Sequence, residues 1–194
     1  MSPYKTQSCS APSDNQLPRE DDILVKDNFF KEDLSKLIAK GTEAYQWRYH
    51  HKSDVDDPAH NKFFVSHLWN ESFEENFFLL LWNFILDEVP SLANYYCFRI
   101  IANGQVKGQN GNWHVDHGDK TAIYFPLKWI PDWGGSTHFK IGATEKEIPY
   151  IQNRLLIFDS RLPHYGSCPE VANILRVSIA FNLRLKFDER SVIG

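Results

Sequence analysis

Ile174-Leu175-Arg176-Val177-Ser178-Ile179-Ala180-Phe181-Asn182-Leu183-Arg184 alternates between two kinds of side chain. In an extended chain successive side chains point to opposite faces. Leu175, Val177, Ile179, Phe181 and Leu183 therefore share one face, and Arg176, Ser178, Ala180 and Asn182 share the other. A period of two sustained this long predicts a strand. The apolar face suits packing against helices, so the opposite face looks into an interior. A guanidinium buried there needs an anionic partner. If the protein supplies none, a bound dicarboxylate can, through a bidentate contact.

Working outward, the same period governs everything after Pro90. Short strand-like runs at 95–102, 113–116, 121–127, 136–141 and 154–158 precede the long one and are separated by Gly, Asn and Pro. Many short strands with turn signals predict an antiparallel sandwich or barrel. The N-terminal third reads differently. After a short strand at 22–25, Asp27-Asn28 stands ready to cap a helix whose Leu34, Leu37 and Ile38 share a face, with Gly41 as its stop. The segment 50–60 is polar and reads as a loop. Ser72-Phe73-Glu74-Glu75 is a capping box opening a helix to about Asp87 that is apolar around much of its circumference. The expected class is mainly β (α+β). Residues 1–20 form a flexible tail and 21–194 one domain, with helical support at 21–90 and a β core at 91–187.

A chain of 194 residues can bury a core without disulfides or a structural metal, and 14% aromatic content argues against disorder. The formal charge of −4 gives no support to broad nucleic-acid binding. No apolar run approaches the roughly 18 residues of a membrane span, and 1–22 lacks the apolar stretch of a secretory signal. Cys9, Cys97 and Cys168 are odd in number and include no CxxC pair, which disfavours a disulfide framework or zinc ribbon. The expected setting is cytoplasmic.

His114-Val115-Asp116 places a histidine and a carboxylate on one face of a strand, about 6.6 Å apart at the base, where they can converge on one ion. His164 follows the apolar run Leu155-Leu156-Ile157-Phe158 and the turn 159–163. Two histidines and one carboxylate make the facial triad that leaves open positions on a metal and typifies non-haem Fe(II) oxygenases. Taken alone, His114 and Asp116 are as readily a surface pair on an edge strand; His164 and Arg176, in order behind them, shift the balance to a metal site. His117 and His138 read as solvent-facing or structural, and Gly134-Gly135 as a sharp turn, because no helix start follows it.

The order HxD, distal His, Arg-x-Ser resembles the 2-oxoglutarate- and Fe(II)-dependent oxygenases. Ala122-Ile123-Tyr124-Phe125, Trp133-Gly134-Gly135-Ser136-Thr137-His138-Phe139 and Asn153-Arg154-Leu155-Leu156-Ile157-Phe158 resemble the prolyl 4-hydroxylase branch. The likeness spans roughly 95–184. It implies a double-stranded β-helix, or jelly roll, buttressed by the N-terminal helices. It implies Fe(II) on His114, Asp116 and His164, and 2-oxoglutarate with its far carboxylate on Arg176. Ser178 and Tyr124 match positions that hydrogen-bond that carboxylate. Dioxygen is the oxidant, ascorbate the candidate reductant, and the outcome is hydroxylation of an unactivated C–H bond with release of succinate and CO2. Asp116 stands where halogenases of the family carry a small non-ligating residue, so halogenation is disfavoured. Position 182 is Asn where nucleic-acid demethylases carry a second arginine. Ser136 replaces the usual acidic residue of its segment.

Arg99, Asn103 and Gln109 are the candidates for substrate contact. Segments 103–112 and 140–150 are the expected rims, with Trp113 and Trp133 as an apolar wall. A small polar metabolite is the expected substrate. A peptide or protein side chain is one alternative, and a non-catalytic ligand- or metal-binding barrel is another.

Overall fold

The computed structural model describes residues 23–52, 61–70 and 77–186. In chain order they form β1 (Leu24–Lys26), α1 (Glu32–Gly41), β2 (Arg48–His51), β3 (Phe63–Asn70), α2 (Phe77–Glu88), β4 (Tyr95–Gln105), β5 (Lys120–Phe125), β6 (Thr137–Ile141), β7 (Thr144–Ile148), β8 (Arg154–Asp159), β9 (His164–Gly166) and β10 (Arg176–Leu185). Two antiparallel sheets result, a major one ordered β1-β8-β5-β10-β4-β3-β2 and a minor one ordered β7-β6-β9. An isolated bridge from His114 to His164 adds a fourth lane to the minor sheet. From β4 onward the chain crosses repeatedly between sheets: β4 major, the His114 lane minor, β5 major, β6 and β7 minor, β8 major, β9 minor, β10 major. This alternation is the double-stranded β-helix.

Two cores hold it. Phe125, Phe139, Phe158 and Leu156 fill the space between the sheets. Ile38 of α1 and Leu81, Trp82 and Ile85 of α2 join Val177, Ile179, Phe181 and Leu183 on the outer face of the major sheet. Each fully buried large apolar side chain contributes about 1.5–3 kcal/mol. The face of β10 that suited helix packing is thus the face the helical layer covers, and Arg176, Ser178, Ala180 and Asn182 all line the interior cavity.

The N-terminal third carries more strand than expected. The short strand expected at 22–25 is present as β1, and β2 and β3 also lie within 21–90, so that the three extend the major sheet at both edges. β3 escaped the pattern reading because its register against β4 shifts between His67 and Trp69. Such a bulge breaks a period of two. β7 is a polar edge strand and β9 has three residues, too little for alternation to register.

Around α1 the expectations also change. Lys31 occupies the N-cap position with no side-chain cap. Asp27, expected to cap, pairs instead with Arg154 of β8. Gly41 is the last residue of α1, and the chain continues into a 3-10 turn over Thr42–Ala44. Leu37 is 56% exposed. α2 ends at Glu88, close to the expected point, but leaves Phe77, Leu80 and Phe84 at the surface. The capping box at 72–75 and the tail at 1–20 lie outside the described residues. Among the described residues no helix is long and apolar enough to cross a membrane.

Candidate metal and co-substrate site

His114 and His164 face each other across the minor sheet through two backbone bonds, His114 N to His164 O at 3.1 Å and His164 N to His114 O at 2.9 Å. Asp116 is anchored from its amide to Ser160 O at 2.9 Å. One donor atom from each of the three residues lies within 4.8 Å of the others. His114 Nε2 is 3.7 Å from Asp116 Oδ1, and His164 Nε2 is 3.5 Å from Asp116 Oδ2.

The ring orientations are set from behind. His114 Nδ1 donates to Asn112 O at 2.8 Å and His164 Nδ1 to Leu162 O at 2.9 Å. A proton held at Nδ1 leaves the Nε2 lone pair facing the cluster, the tautomer a metal needs. Burial pushes the His164 imidazole down to about 4, with Asp116 opposing and His114 adding to the effect, so the ring is neutral near pH 7. Thr121 Oγ1 donates to Asp116 Oδ2 at 2.7 Å and lies 3.0 Å from Ser160 Oγ, which orients the carboxylate. Two imidazoles with Nε2 turned to the cluster and an oriented carboxylate fit a divalent transition metal. His117 is exposed at the cavity wall and outside this cluster.

The triad opens onto a cavity of about 700 Å³ whose floor is the β4–β10 pair. Four rungs face it: Gln105 opposite Arg176, Asn103 opposite Ser178, Ile101 opposite Ala180, and Arg99 opposite Asn182. The register shifts just beyond this last rung, where Leu183 pairs with Cys97. Arg99 keeps the cavity phase of Ile101 and Asn103, while the shift turns Cys97 into the helix-side core, although simple alternation puts Cys97 and Arg99 on one face.

Arg176 is 2% exposed. Its Nε donates to Gly135 O at 2.6 Å, Nη1 to Gln105 Oε1 at 2.8 Å and Ser178 Oγ at 3.4 Å, and Nη2 to Thr137 Oγ1 at 3.2 Å. The rings of Phe125 and Tyr150 lie beneath it at 5.6 and 5.7 Å. Every one of these partners is uncharged. Burial pushes the guanidinium down to about 10, which leaves it cationic at neutral pH. Among the described residues none of its recorded contacts is a carboxylate, so the buried positive charge of Arg176 touches no counter-anion. A Cβ at Gly166 would stand 3.0 Å from Arg176 Nη1; glycine there lets β9 pass close to the guanidinium.

Not every expected residue reaches the cavity. Tyr124 points to the helix side of β5, where its hydroxyl donates to Asn153 Oδ1 and also hydrogen-bonds the Ser35 hydroxyl, both at 3.1 Å. Its neighbour Ile123 is the cavity residue. Gln109 also lies off the cavity; its side chain accepts from Val106 N and its carbonyl from Gln105 Nε2. Arg99 and Asn103 do line it. The expected rim at 140–150 is the β6–β7 hairpin, outside the cavity lining, and Lys52, Phe63 and the 113–117 segment form the wall instead. Trp113 is part of that wall and packs on Tyr165; Trp133 packs on Trp129 away from it. Ser136 is bound to Glu147 at 2.6 Å. Gln105, Thr121, Thr137 and Asn182 were missed as site residues. Asn182 carried a signal, its place on the polar face of the alternating strand.

No protein-family model and no curated protein sequence matches this chain. Solved structures do. A 2OG-Fe(II) oxygenase family oxidoreductase from Burkholderia pseudomallei superposes with TM-score 0.66 at 11% identity, over 85% of this chain and 86% of that one. A Trichoplax adhaerens prolyl hydroxylase, in complex with a peptide of the hypoxia inducible factor oxygen degradation domain, gives 0.64 at 18% identity, covering 90% and 88%. HygX from Streptomyces hygroscopicus, with nickel and 2-oxoglutarate bound, gives 0.61 at 11%, covering 86% and 84%. The fold is the one these 2-oxoglutarate/Fe(II) oxygenases share.

Proposed function

We propose that this protein is an Fe(II)- and 2-oxoglutarate-dependent dioxygenase that hydroxylates a small polar metabolite. The observation that supports this most is the pairing, in one cavity, of an oriented His-Asp-His cluster with a buried arginine whose recorded partners are all neutral. His114, Asp116 and His164 are the residues that would hold iron, and Arg176 the one that would hold the far carboxylate of 2-oxoglutarate, with Ser178 and Thr137 beside it. When bound, iron with 2-oxoglutarate and dioxygen supplies C–H hydroxylation coupled to decarboxylation of the keto acid to succinate. Thr121 and Ser160 keep the Asp116 carboxylate in one orientation. The backbone carbonyls of Asn112 and Leu162 hold the imidazole tautomers. The β4–β10 floor holds the organic reactants in line with the cluster.

A cavity of about 700 Å³ lies within the range of small-molecule sites. A peptide substrate is the second reading, favoured by the likeness to a prolyl hydroxylase bound to a peptide. Adding Fe(II) and 2-oxoglutarate without oxygen should give a weak visible charge-transfer band, because the keto acid chelates the metal. His114→Ala, Asp116→Ala and His164→Ala should each remove it while the far-ultraviolet dichroism is kept. A folded, iron-loaded wild-type protein without the band overturns the oxygenase reading in favour of a binding barrel. A screen for succinate formation stimulated by small acids, amino acids or proline-containing peptides then separates the two substrate classes.

A further inference from the structure

We propose that Arg99 and Asn182 form a carboxylate-binding subsite for the primary substrate, at the opposite end of the β4–β10 floor from Arg176; this rests on the dioxygenase reading above. The floor is a ladder with a cation at each end. Arg176 and Asn182 are six residues apart on β10, about 20 Å along an extended strand. The rung Ile101–Ala180 lies between the two ends. One bound keto acid anchored at Arg176 therefore leaves the other end free for a second organic molecule.

The Arg99 end is built for an anion. Arg99 Nε donates to Asn182 Oδ1 at 2.9 Å. That bond fixes which way the Asn182 amide points, because its oxygen is committed to the arginine. Asn182 Nδ2 is buried without a partner, in a residue only 1% exposed on the cavity wall. A buried donor left unpaired costs about 1–3 kcal/mol, and an acceptor arriving from the cavity removes that cost. The guanidinium of Arg99 lines the same space. The acidic group that acts on Arg99 electrostatically is Asp116, whose charge a metal ligated there would offset, leaving the arginine cationic toward the cavity. One guanidinium and one amide N–H match a planar, singly charged carboxylate. A doubly charged phosphate would exceed the single positive charge that Arg99 supplies.

The test uses the full chain loaded with Zn(II) and saturating 2-oxoglutarate, which fills the Arg176 end and allows no turnover. Short aliphatic and aromatic monocarboxylates and the L-amino acids are titrated by calorimetry, each beside its carboxamide and its phosphate monoester analogue where one exists. The expected result is at least one acid that binds ten times or more tightly than its amide and its phosphate analogue. Arg99→Gln and Asn182→Ala should each weaken that acid at least tenfold, and Arg99→Lys should recover part of the loss. The affinity for 2-oxoglutarate should change less than twofold in all three. Equal binding of acid and amide, preference for the phosphate, or no acid bound by a protein that binds zinc and 2-oxoglutarate overturns the subsite alone. Failure of the wild-type protein to bind zinc and 2-oxoglutarate overturns the underlying reading. If Arg99→Gln does not fold, Asn182→Ala decides the matter by the same criterion.

Discussion

Among the described residues two arginines are buried, and they are satisfied in opposite ways. Arg154, at the start of β8, is 9% exposed and meets Asp27 through a two-toothed contact, Nε to Oδ1 at 2.5 Å and Nη2 to Oδ2 at 2.8 Å, with Nη1 on Pro149 O. Arg176, on β10, is more deeply buried and meets only neutral acceptors and two aromatic rings. A buried cation is costly unless it is paired. Arg154 is paired by the protein and ties the segment leading into α1 to the barrel. Arg176 is half-solved by design of its surroundings, held in place by neutral groups and left without an anion. The difference separates a structural arginine from the one proposed to hold 2-oxoglutarate better than burial does, since both are buried.

The strongest way to break that comparison is Arg176→Gln. Losing a charge-assisted fork should weaken 2-oxoglutarate at least 100-fold, about 2.7 kcal/mol, as read by calorimetry on the zinc-loaded protein. The melting temperature without ligand should hold or rise, because an unpaired buried charge is removed. A large fall in melting temperature with 2-oxoglutarate affinity intact would make Arg176 structural like Arg154. Arg154→Met should do the reverse. It strands the Asp27 carboxylate, whose side chain is 46% exposed, so the loss should be about 2 kcal/mol in denaturant unfolding, below the range for a fully buried pair. Iron and 2-oxoglutarate affinities should stay within twofold.

Asp27→Asn is a milder probe of the same contact, with an expected loss of about 1 kcal/mol. The hydrogen bond from Arg154 holds the Asp27 carboxyl below its usual range. A carboxylate with a depressed value contributes stability above its unfolded pKa, and that contribution is lost as pH falls through the folded value. The wild-type protein should thus lose more stability than Asp27→Asn between pH 5 and acid unfolding, within the region around and below about pH 4. Parallel acid profiles would remove Asp27 from the account. The smallest effect is expected from Tyr124→Phe: about 1 kcal/mol or less from its two hydrogen bonds, and no change in 2-oxoglutarate affinity, because the hydroxyl faces α1. A tenfold loss of 2-oxoglutarate would return Tyr124 to the site.

The antiparallel β class, the His114-Asp116 pair and the inward face of Arg176 were legible in the chain, because each is carried by a local period or by a short spacing; the jelly roll, and His164 as the third member of the set, were what the family resemblance implied. The two-residue alternation of 174–184 alone sorted a helix-covered face from a cavity face, and the structure keeps that sorting. What the chain could not disclose depends on where strands slip. The register shift between Asn182 and Leu183 leaves Arg99 in phase with the cavity-facing Ile101 and Asn103 but turns Cys97 into the helix-side core, and the shift beside Trp69 hid β3. Tyr124 was assigned by its motif, yet its place on β5 turns it toward Ser35 and Asn153 while Ile123 faces inward. Asp27 looked like a helix cap until the fold brought Arg154 within reach, 127 positions away. Alternation is a property of neighbours along one strand, and sequence carries it. The phase of one strand against the next, and the choice of partner for a buried charge, arise only when distant strands pair and exclude water, so the tertiary structure alone decided them.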